Sequence, residues 1–239
     1  MIGADPEAVR EALAASAAIG PFFKLGVADH GEGWRPALSV YSGGLRDVIE
    51  ATGERLGVTE VRVAAATVHL AYAARLWSPV LACALRHGLV PDLAGLRLVT
   101  SPSLRLSLPA PRGWLVAAPG EVAALAYRVV VGQHLKPLAS GLAVKVAPGL
   151  LRGNAAAAMT AALRVLLCAH PEVAGRAREV AQALLTTGML RGTGEMTGPG
   201  LEFRRRSCCL FYRVPGGGLC GDCPLPGSPT RGKGARPVG

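Results

Sequence analysis

The sequence has few aromatic and few charged side chains. Aromatic residues make up 5% of its 239 residues and charged residues 18%, while hydrophobic residues reach 50%. Proteins that bind single-stranded nucleic acids stack bases on aromatic rings along a basic groove, and no predicted helix carries a continuous basic face. We therefore expect no nucleic-acid partner. The formal net charge of +10 either reflects a general bias toward arginine or suits a different anionic partner.

Long uninterrupted apolar runs are also missing. Residues 63–85 are long enough to cross a membrane, but Arg75 and Pro79 interrupt them, and an arginine near the bilayer centre is costly. The first twenty residues carry three acidic side chains where a secretory signal would carry positive charge. We expect a cytoplasmic protein with no transmembrane span, and leave open a peripheral attachment near an importer at the inner face of the membrane.

A third absence concerns nucleotide-binding motifs. The sequence contains no phosphate-binding GxxxxGK[ST] loop. The glycine-rich stretch 192–198 (GTGEMTG) follows a predicted helix and precedes none, so no helix N-terminus is there to bind a pyrophosphate. The sequence therefore predicts no site for NAD(P)H or a flavin, and electrons for redox chemistry have to come from an external donor.

Hydrophobic patterns predict a predominantly helical α+β fold with a small antiparallel sheet and an irregular C-terminal segment. Apolar residues at helical spacing, with capping residues and terminal glycines, predict helices that begin at Pro6 and Pro79 and others over 42–56, 60–76, 119–133, 134–146, 150–169 and 172–187. Alternating stretches bounded by Pro and Gly predict strands at 37–41, 95–100, 103–108, 113–118 and 201–206.

Four of the six cysteines lie within sixteen residues, at Cys208, Cys209, Cys220 and Cys223. A spacing of two residues between the last two lets one turn present both sulfur atoms to one metal. Neighbours in an extended strand point to opposite faces, so the adjacent pair shares a metal only if the backbone turns there, and otherwise serves two metal atoms. A [2Fe–2S] cluster, structural zinc and a redox dithiol or disulfide all stay open at this point.

The residues on either side of these cysteines favour a [2Fe–2S] cluster over the other two possibilities. Residues 216–218 are three glycines that would allow the backbone to approach an inorganic sulfide, unless they only form a flexible loop. The run Arg204, Arg205 and Arg206 would offset the negative charge of four thiolates and favour the reduced form, unless it is a solvated strand edge.

Other candidate side chains are scattered. His134 and Lys136 predict a basic corner that could contact an anionic ligand, with a capping or core histidine as the alternative. The remaining thiols, Cys83 and Cys168, lie in apolar helical patterns, and we expect both to be buried in the core.

The segment SCCLFYRVPGGGLCGDCPL, residues 207–225, resembles the C-terminal signature of FhuF-type ferric-siderophore reductases. That signature is two adjacent cysteines, ten residues, a cysteine, two residues and a cysteine, and in the family it carries a [2Fe–2S] cluster. All four cysteine positions match. Weaker likeness at 72–93, 134–138 and 152–159 extends the resemblance over most of the chain from about residue 60.

The resemblance implies a division of the chain. We expect an N-terminal helical and irregular region over 1–59 and a siderophore-binding-like domain of helices and sheet over 60–198. A [2Fe–2S]-binding segment over 199–224 and a disordered tail over 225–239 follow.

The resemblance also implies a function. The protein would take one electron from a donor such as a ferredoxin and reduce an Fe(III)-siderophore, because the softer Fe(II) matches hard oxygen ligands poorly. The four clustered cysteines would hold the cofactor, with substrate contacts from Arg204, Arg205, Arg206, His134 and Lys136, and no acid–base catalyst is required. The alternative is a zinc- or iron–sulfur-binding module that acts as a structural element or sensor without turnover.

Overall fold

Two long apolar helices, α4 and α7, form the centre of the computed structural model, which describes residues 2–28, 31–101 and 103–226. The helices are α1 (Pro6–Ala17), α2 (Ala37–Ser42), α3 (Arg46–Leu56), α4 (Val61–His87), α5 (Pro119–Ala126), α6 (Lys136–Gly141), α7 (Pro148–Ala169) and α8 (Ala174–Leu185). A π-helical segment, Tyr127–Leu135, joins α5 to α6. Most of the predicted disordered tail lies outside the described residues.

Alanine allows the two central helices to pack closely. The runs 64–66 on α4 and 155–158 on α7 are all alanine and all buried, and small side chains let helix backbones approach. Both helices are long and apolar enough to cross a membrane, but 78% and 72% of their most apolar windows are buried inside the protein. Such burial is typical of core helices, and the expected absence of a transmembrane span stays a prediction.

The prediction of two helices meeting at Ser78-Pro79 was wrong, because α4 runs through this point without a break. Pro79 has no N–H to donate to the carbonyl of Arg75, which costs an exposed helix about 3 kcal/mol. Here Ser78, Pro79 and the residues around them are buried, so tertiary packing outweighs the local preference. The predicted break between 133 and 134 is likewise absent, since helical backbone runs from Pro119 to Gly141.

Among the described residues, the strands form three small antiparallel sheets, where the sequence predicted one. They are β1 (Arg35–Pro36), β2 (Leu89–Pro91), β3 (Arg97–Val99), β4 (Arg105–Ser107), β5 (Gly113–Leu115), β6 (Gly194–Met196) and β7 (Phe203–Arg205). The first sheet has the order β1-β3-β4, while β2 pairs with β5 and β6 with β7. The predicted hairpin β3-β4 is confirmed, but β5 lies in a different sheet from the one expected.

The predicted strand over 37–41 is the helix α2, which carries Tyr41 into the core. Its hydroxyl lies 2.5 Å from that of Tyr72 and 2.8 Å from Nδ1 of His134, while Nε2 of His134 lies 2.9 Å from the carbonyl oxygen of Leu93. Burial lowers the pKa of His134 to about 4. This neutral histidine is a core residue that joins α2, α4 and the π-helical segment, and the expected basic corner at 134–136 is not formed.

Glycine at position 141 allows α6 to touch α2. A Cβ atom there would overlap the carbonyl oxygen of Tyr41. We expect Gly141→Ala to lower the free energy of unfolding by about 2 kcal/mol or more, because the backbone of α2 would have to move. Thermal unfolding followed by circular dichroism measures the change.

Gly149→Ala is the matched control, since nothing lies within 4 Å of a Cβ atom at Gly149 on α7. We expect it to be neutral or to stabilise by up to about 1 kcal/mol. Equal stability of the two variants would contradict the tight α2–α6 contact.

Candidate metal centre

Backbone hydrogen bonds tie the cysteine-bearing segment to itself and to the residues that follow α8. The N–H of Arg205 donates to the carbonyl of Asp222 at 3.0 Å, and the N–H of Arg206 donates to the carbonyl of Thr193 at 2.8 Å. Gly153 lets the segment approach α7, because a Cβ atom there would overlap the hydroxyl of Ser207. The segment therefore packs on the central helix pair and does not form a separate appendage.

The three consecutive arginines lie in two different environments. Strand β7 places Arg204 on the solvent side and Arg205 on the core side, and Arg206 just after it is again exposed. This alternation is the period-two pattern of a strand. The predicted solvated strand edge thus holds for two of the three residues, while the side chain of Arg205 is only 2% exposed.

Arg205 is held by an amide and by a carbonyl. Its Nη2 donates to Oδ1 of Asn154 at 2.7 Å and to the carbonyl of Leu150 at 3.4 Å, and Asn154 Nδ2 in turn donates to the carbonyl of Ala66 at 2.8 Å. Asn154 therefore links α4, α7 and β7 through one side chain.

No ion pair in the described part of the chain includes Arg205, and its Nε has no partner there. The nearby His69 adds no second positive charge, since burial and the charge of Arg205 lower the pKa of His69 to about 4. A neutral histidine cannot compensate the arginine either. A buried charge without a counter-charge is strongly unfavourable. The fold at this position therefore suits an anionic neighbour, and the closest candidates are the thiolates of the cysteine segment.

The adjacent cysteines point in different directions. Leu210 has a left-handed backbone (φ 68°), which turns the chain directly after them. Cys209 is buried, whereas Cys208 is partly exposed and its Sγ accepts the N–H of Leu210 at 3.3 Å. The two thiols thus differ in exposure, and whether they bind one metal atom or two stays a prediction.

Cys209 meets the first cysteine of the other pair. Its Sγ lies 3.4 Å from Sγ of Cys220, and all four thiols of the segment are free. A disulfide has an S–S distance of about 2.05 Å, while two thiolates on one tetrahedral metal with bonds of about 2.3 Å lie about 3.8 Å apart. The pair is therefore spaced close to a shared metal and far from a disulfide.

Both sulfurs receive stabilising hydrogen bonds. The contact with Cys220, the backbone N–H of Phe211 and the charge of Arg205 lower the pKa of Cys209 to about 6, against the effect of burial. The pKa of Cys220 is raised, chiefly by the same contact, although the N–H of Asp222 bonds to its sulfur. One of the two sulfurs is thus a thiolate near neutral pH, which is the form that binds metals.

The spacing of two residues between Cys220 and Cys223 closes a turn, in which the N–H of Cys223 donates to the carbonyl of Cys220 at 3.1 Å. Asp222 within this turn pairs with Arg164 of α7 at 3.0 Å. Sequence reasoning missed both Arg164 and Asp222. In the sequence these residues appear only as an arginine in an apolar helix and an aspartate between two cysteines, and neither pattern predicts an ion pair.

The triple glycine forms a tight turn. Gly216 and Gly218 have left-handed backbones (φ 72° and 62°), and a Cβ atom on Gly217 would lie 2.7 Å from the carbonyl oxygen of Phe211. Glycine is therefore required by the local packing of residues 211–218. The predicted approach of this backbone to a sulfide stays a prediction.

The structure brings some predicted site residues together and leaves others apart. Within residues 2–28, 31–101 and 103–226, no three Cys, His, Asp or Glu side chains stand at metal-binding distances from one another. Cys209 and Cys220 are in contact, whereas Lys136 is exposed on α6 and His134 is buried among core side chains. Cys168 is exposed rather than buried, because it lies on the solvent face near the end of α7.

An open cavity of about 600 Å³ adjoins the two paired thiols. Cys209, Cys220, Arg205 and Asp222 line one end of it, and apolar side chains of α4, α7 and residues 19–23 line the rest. Neither its position nor its size was predicted from the sequence, since it depends on how three separate parts of the chain pack.

Four free thiols, N–H donors on three of the sulfurs and an arginine with no counter-charge among the described residues fit a thiolate-bound cluster of net negative charge. This donor set defines an iron–sulfur or related metal-thiolate centre. Residues 205–225 match the family model described as the FhuF 2Fe-2S C-terminal domain, which confirms the resemblance for this segment and assigns it a [2Fe–2S] cluster. No curated protein and no solved structure matches the chain.

We expect Cys209→Ser to remove or strongly destabilise the cluster, because a serine hydroxyl is a poor ligand for a soft centre. Iron and acid-labile sulfide per chain and the visible absorption of anaerobically purified protein measure the loss. Circular dichroism should show that the helices remain. Cys168→Ser is the matched control and should keep full iron and sulfide, and loss of cluster from both variants would contradict the assignment.

We expect Arg205→Met to lower the reduction potential of the cluster, because it removes a buried positive charge that favours the reduced form. The shift should be several tens of millivolts, since about 59 mV corresponds to a tenfold change in a one-electron equilibrium. Arg204→Met, one residue away and exposed, is the control. Its charge is screened by solvent, so an equal shift in both variants would contradict the role of the buried charge.

Proposed function

We propose that the protein reduces Fe(III)-siderophores in the cytoplasm by one-electron transfer and so releases Fe(II). One observation carries this proposal. Two thiols of the FhuF-type [2Fe–2S] segment line an open cavity. A molecule bound in that cavity would lie against Cys209 and Cys220, and electron transfer to it would need no further movement of the protein.

The [2Fe–2S] cluster supplies a site that accepts and gives one electron at a time. An external one-electron donor is oxidised and Fe(III) in the chelate is reduced to Fe(II), so the electrons balance without a proton or a covalent bond to the protein. Siderophore oxygen donors suit Fe(III) better than the softer Fe(II). Reduction thus weakens the complex, and the iron leaves the chelate.

The chain's own residues set the conditions for this step. Arg205 opposes the negative charge of the thiolates, and Asn154 fixes the position of its guanidinium. The Arg164–Asp222 pair ties the turn between Cys220 and Cys223 to α7. These contacts fix the cysteine segment against the helix pair, so that the cavity and the thiols keep one relative position.

The donor is proposed to be an acidic protein such as a ferredoxin. Arg204 and Arg206 are exposed beside the buried Arg205, and the chain carries a net charge of +10. Complementary charges speed the encounter of two proteins and are screened by salt. The rate of reduction by such a donor should therefore fall as ionic strength rises.

A single-turnover experiment tests the function. Protein reduced under anaerobic conditions with half a mole of dithionite per mole of cluster, which supplies one electron per chain and leaves no free reductant, is mixed with a ferric siderophore. We expect the cluster absorption to return and about one Fe(II) per reduced chain to appear in a ferrous-specific chelator, since the cluster carries one electron. The Cys209→Ser variant is the control and should transfer nothing.

A reduced cluster that stays reduced with hydroxamate, catecholate and carboxylate chelates alike would contradict the reductase proposal. It would favour a sensor or structural module with the same cofactor.

A further inference from the structure

The cavity beside the thiols has apolar walls along most of its length. Ala66, Leu70, Ala74 and Ser78 follow one another at intervals of four residues on α4 and form one wall. Ala157, Ala161 and Val165, with the same spacing on α7, form a second wall. Residues four apart lie on one helix face, so both helices present a stripe of mostly small side chains to the same space.

This space is larger than close packing leaves between helices. Protein interiors contain few voids larger than a water molecule, whereas ligand sites have volumes of about 300–1,000 Å³. The volume of about 600 Å³ lies within the second range. It also exceeds what the four inorganic atoms of a cluster at one end would fill, so most of it is left for another molecule.

The rim of the cavity exposes large apolar groups to solvent. Phe22 is 40% exposed and Val165 is 48% exposed, and both line the cavity. The guanidinium carbon of Arg75 lies 4.6 Å from the centre of the Phe22 ring and supports this aromatic side chain from outside. Apolar groups gathered around a concave opening are typical of a site that receives an apolar ligand.

The charged groups that line the cavity lie beside the thiols, while the only polar side chains on its helical walls among the described residues are the hydroxyls of Thr67 and Ser78. At the thiol end Asp222 is paired with Arg164, while Nε of the buried Arg205 has no partner among the described residues. An unpartnered donor at nine-tenths burial or more points to a group that binds there. A ligand for this cavity would therefore combine a long apolar part with one polar, electron-accepting end.

We propose that the substrates are amphiphilic ferric chelates, whose alkyl or aryl part lies between α4 and α7 while the iron-bearing head faces Cys209 and Cys220. This assignment rests on the proposed reductase function for the fate of the iron, but the binding preference is independent of electron transfer. A purely hydrophilic chelate would have to leave its hydration shell against alanine and phenylalanine side chains, which is unfavourable.

Gallium(III) complexes test the binding without redox chemistry. The probes are the gallium complexes of a linear trihydroxamate and of the same molecule carrying an N-acetyl, N-butanoyl or N-octanoyl chain. Calorimetric titration of the cluster-loaded protein should show Kd falling along this series. Each fully buried methylene contributes about a factor of four, so we expect the octanoyl complex to bind at least about tenfold more tightly than the acetyl complex.

Filling the cavity should abolish this preference. Ala161→Phe places a ring between the two walls, and the acetyl and octanoyl complexes should then bind alike. Ala169→Phe, at an exposed position of the same helix, is the matched control and should keep the tenfold difference. Iron and sulfide content shows that both variants hold the cluster.

Equal affinity of the native protein for all chain lengths would overturn the inference, whatever the variants do. The ferric forms of the same probes separate it from the proposed function. Chain-length-dependent binding without reoxidation of the reduced protein would contradict the reductase proposal alone. Reoxidation at equal rates and affinities by every probe would contradict the substrate class alone.

Discussion

A buried positive charge without a carboxylate partner among the described residues is the constraint on which the candidate site depends. Arg205 enters the core on β7, and Asn154 and a carbonyl of α7 hold its guanidinium without neutralising it. In a medium of low polarity such a charge needs an anion nearby. The pKa of Cys209 is lowered to about 6, chiefly by the contact with Cys220 and in smaller part by this arginine, which favours a thiolate beside the buried charge. A [2Fe–2S] cluster with four thiolates extends the same compensation.

The same helix pair explains both the docking of the cysteine segment and the cavity beside it. Alanine-rich faces let α4 and α7 approach, and Gly153 lets the segment reach the helix backbone. Where the small side chains face open space instead of another element, they leave a cleft that ends at the paired thiols. The cofactor site and the proposed ligand site therefore both result from the way in which α4 and α7 pack.

Periodicity and capping predicted the helical class, the start of α1 at Pro6 and the β3-β4 hairpin. The [2Fe–2S] cluster was predicted by the resemblance of the cysteine spacing to the FhuF signature. The failures have physical causes. Pro79 favours the start of a helix, but its burial in the core stabilises a continuous α4 instead. The pairing of the short strands depends on contacts between residues far apart in the sequence, which local patterns do not predict. The sequence predicted a strand at β7 and therefore side chains that alternate between its two faces. It could not predict which of the three arginines faces the core, because that depends on the position of α7. The division of the chain into four regions stays a prediction.

Electron paramagnetic resonance of the anaerobically purified, dithionite-reduced protein tests the central claim most directly. A reduced [2Fe–2S] centre has one unpaired electron, so the account predicts a low-temperature signal that integrates to about one spin per chain. It should be absent before reduction and lost in a variant without Cys209. Folded protein that gives no signal and carries one zinc ion per chain, or a disulfide between these thiols, would contradict the account.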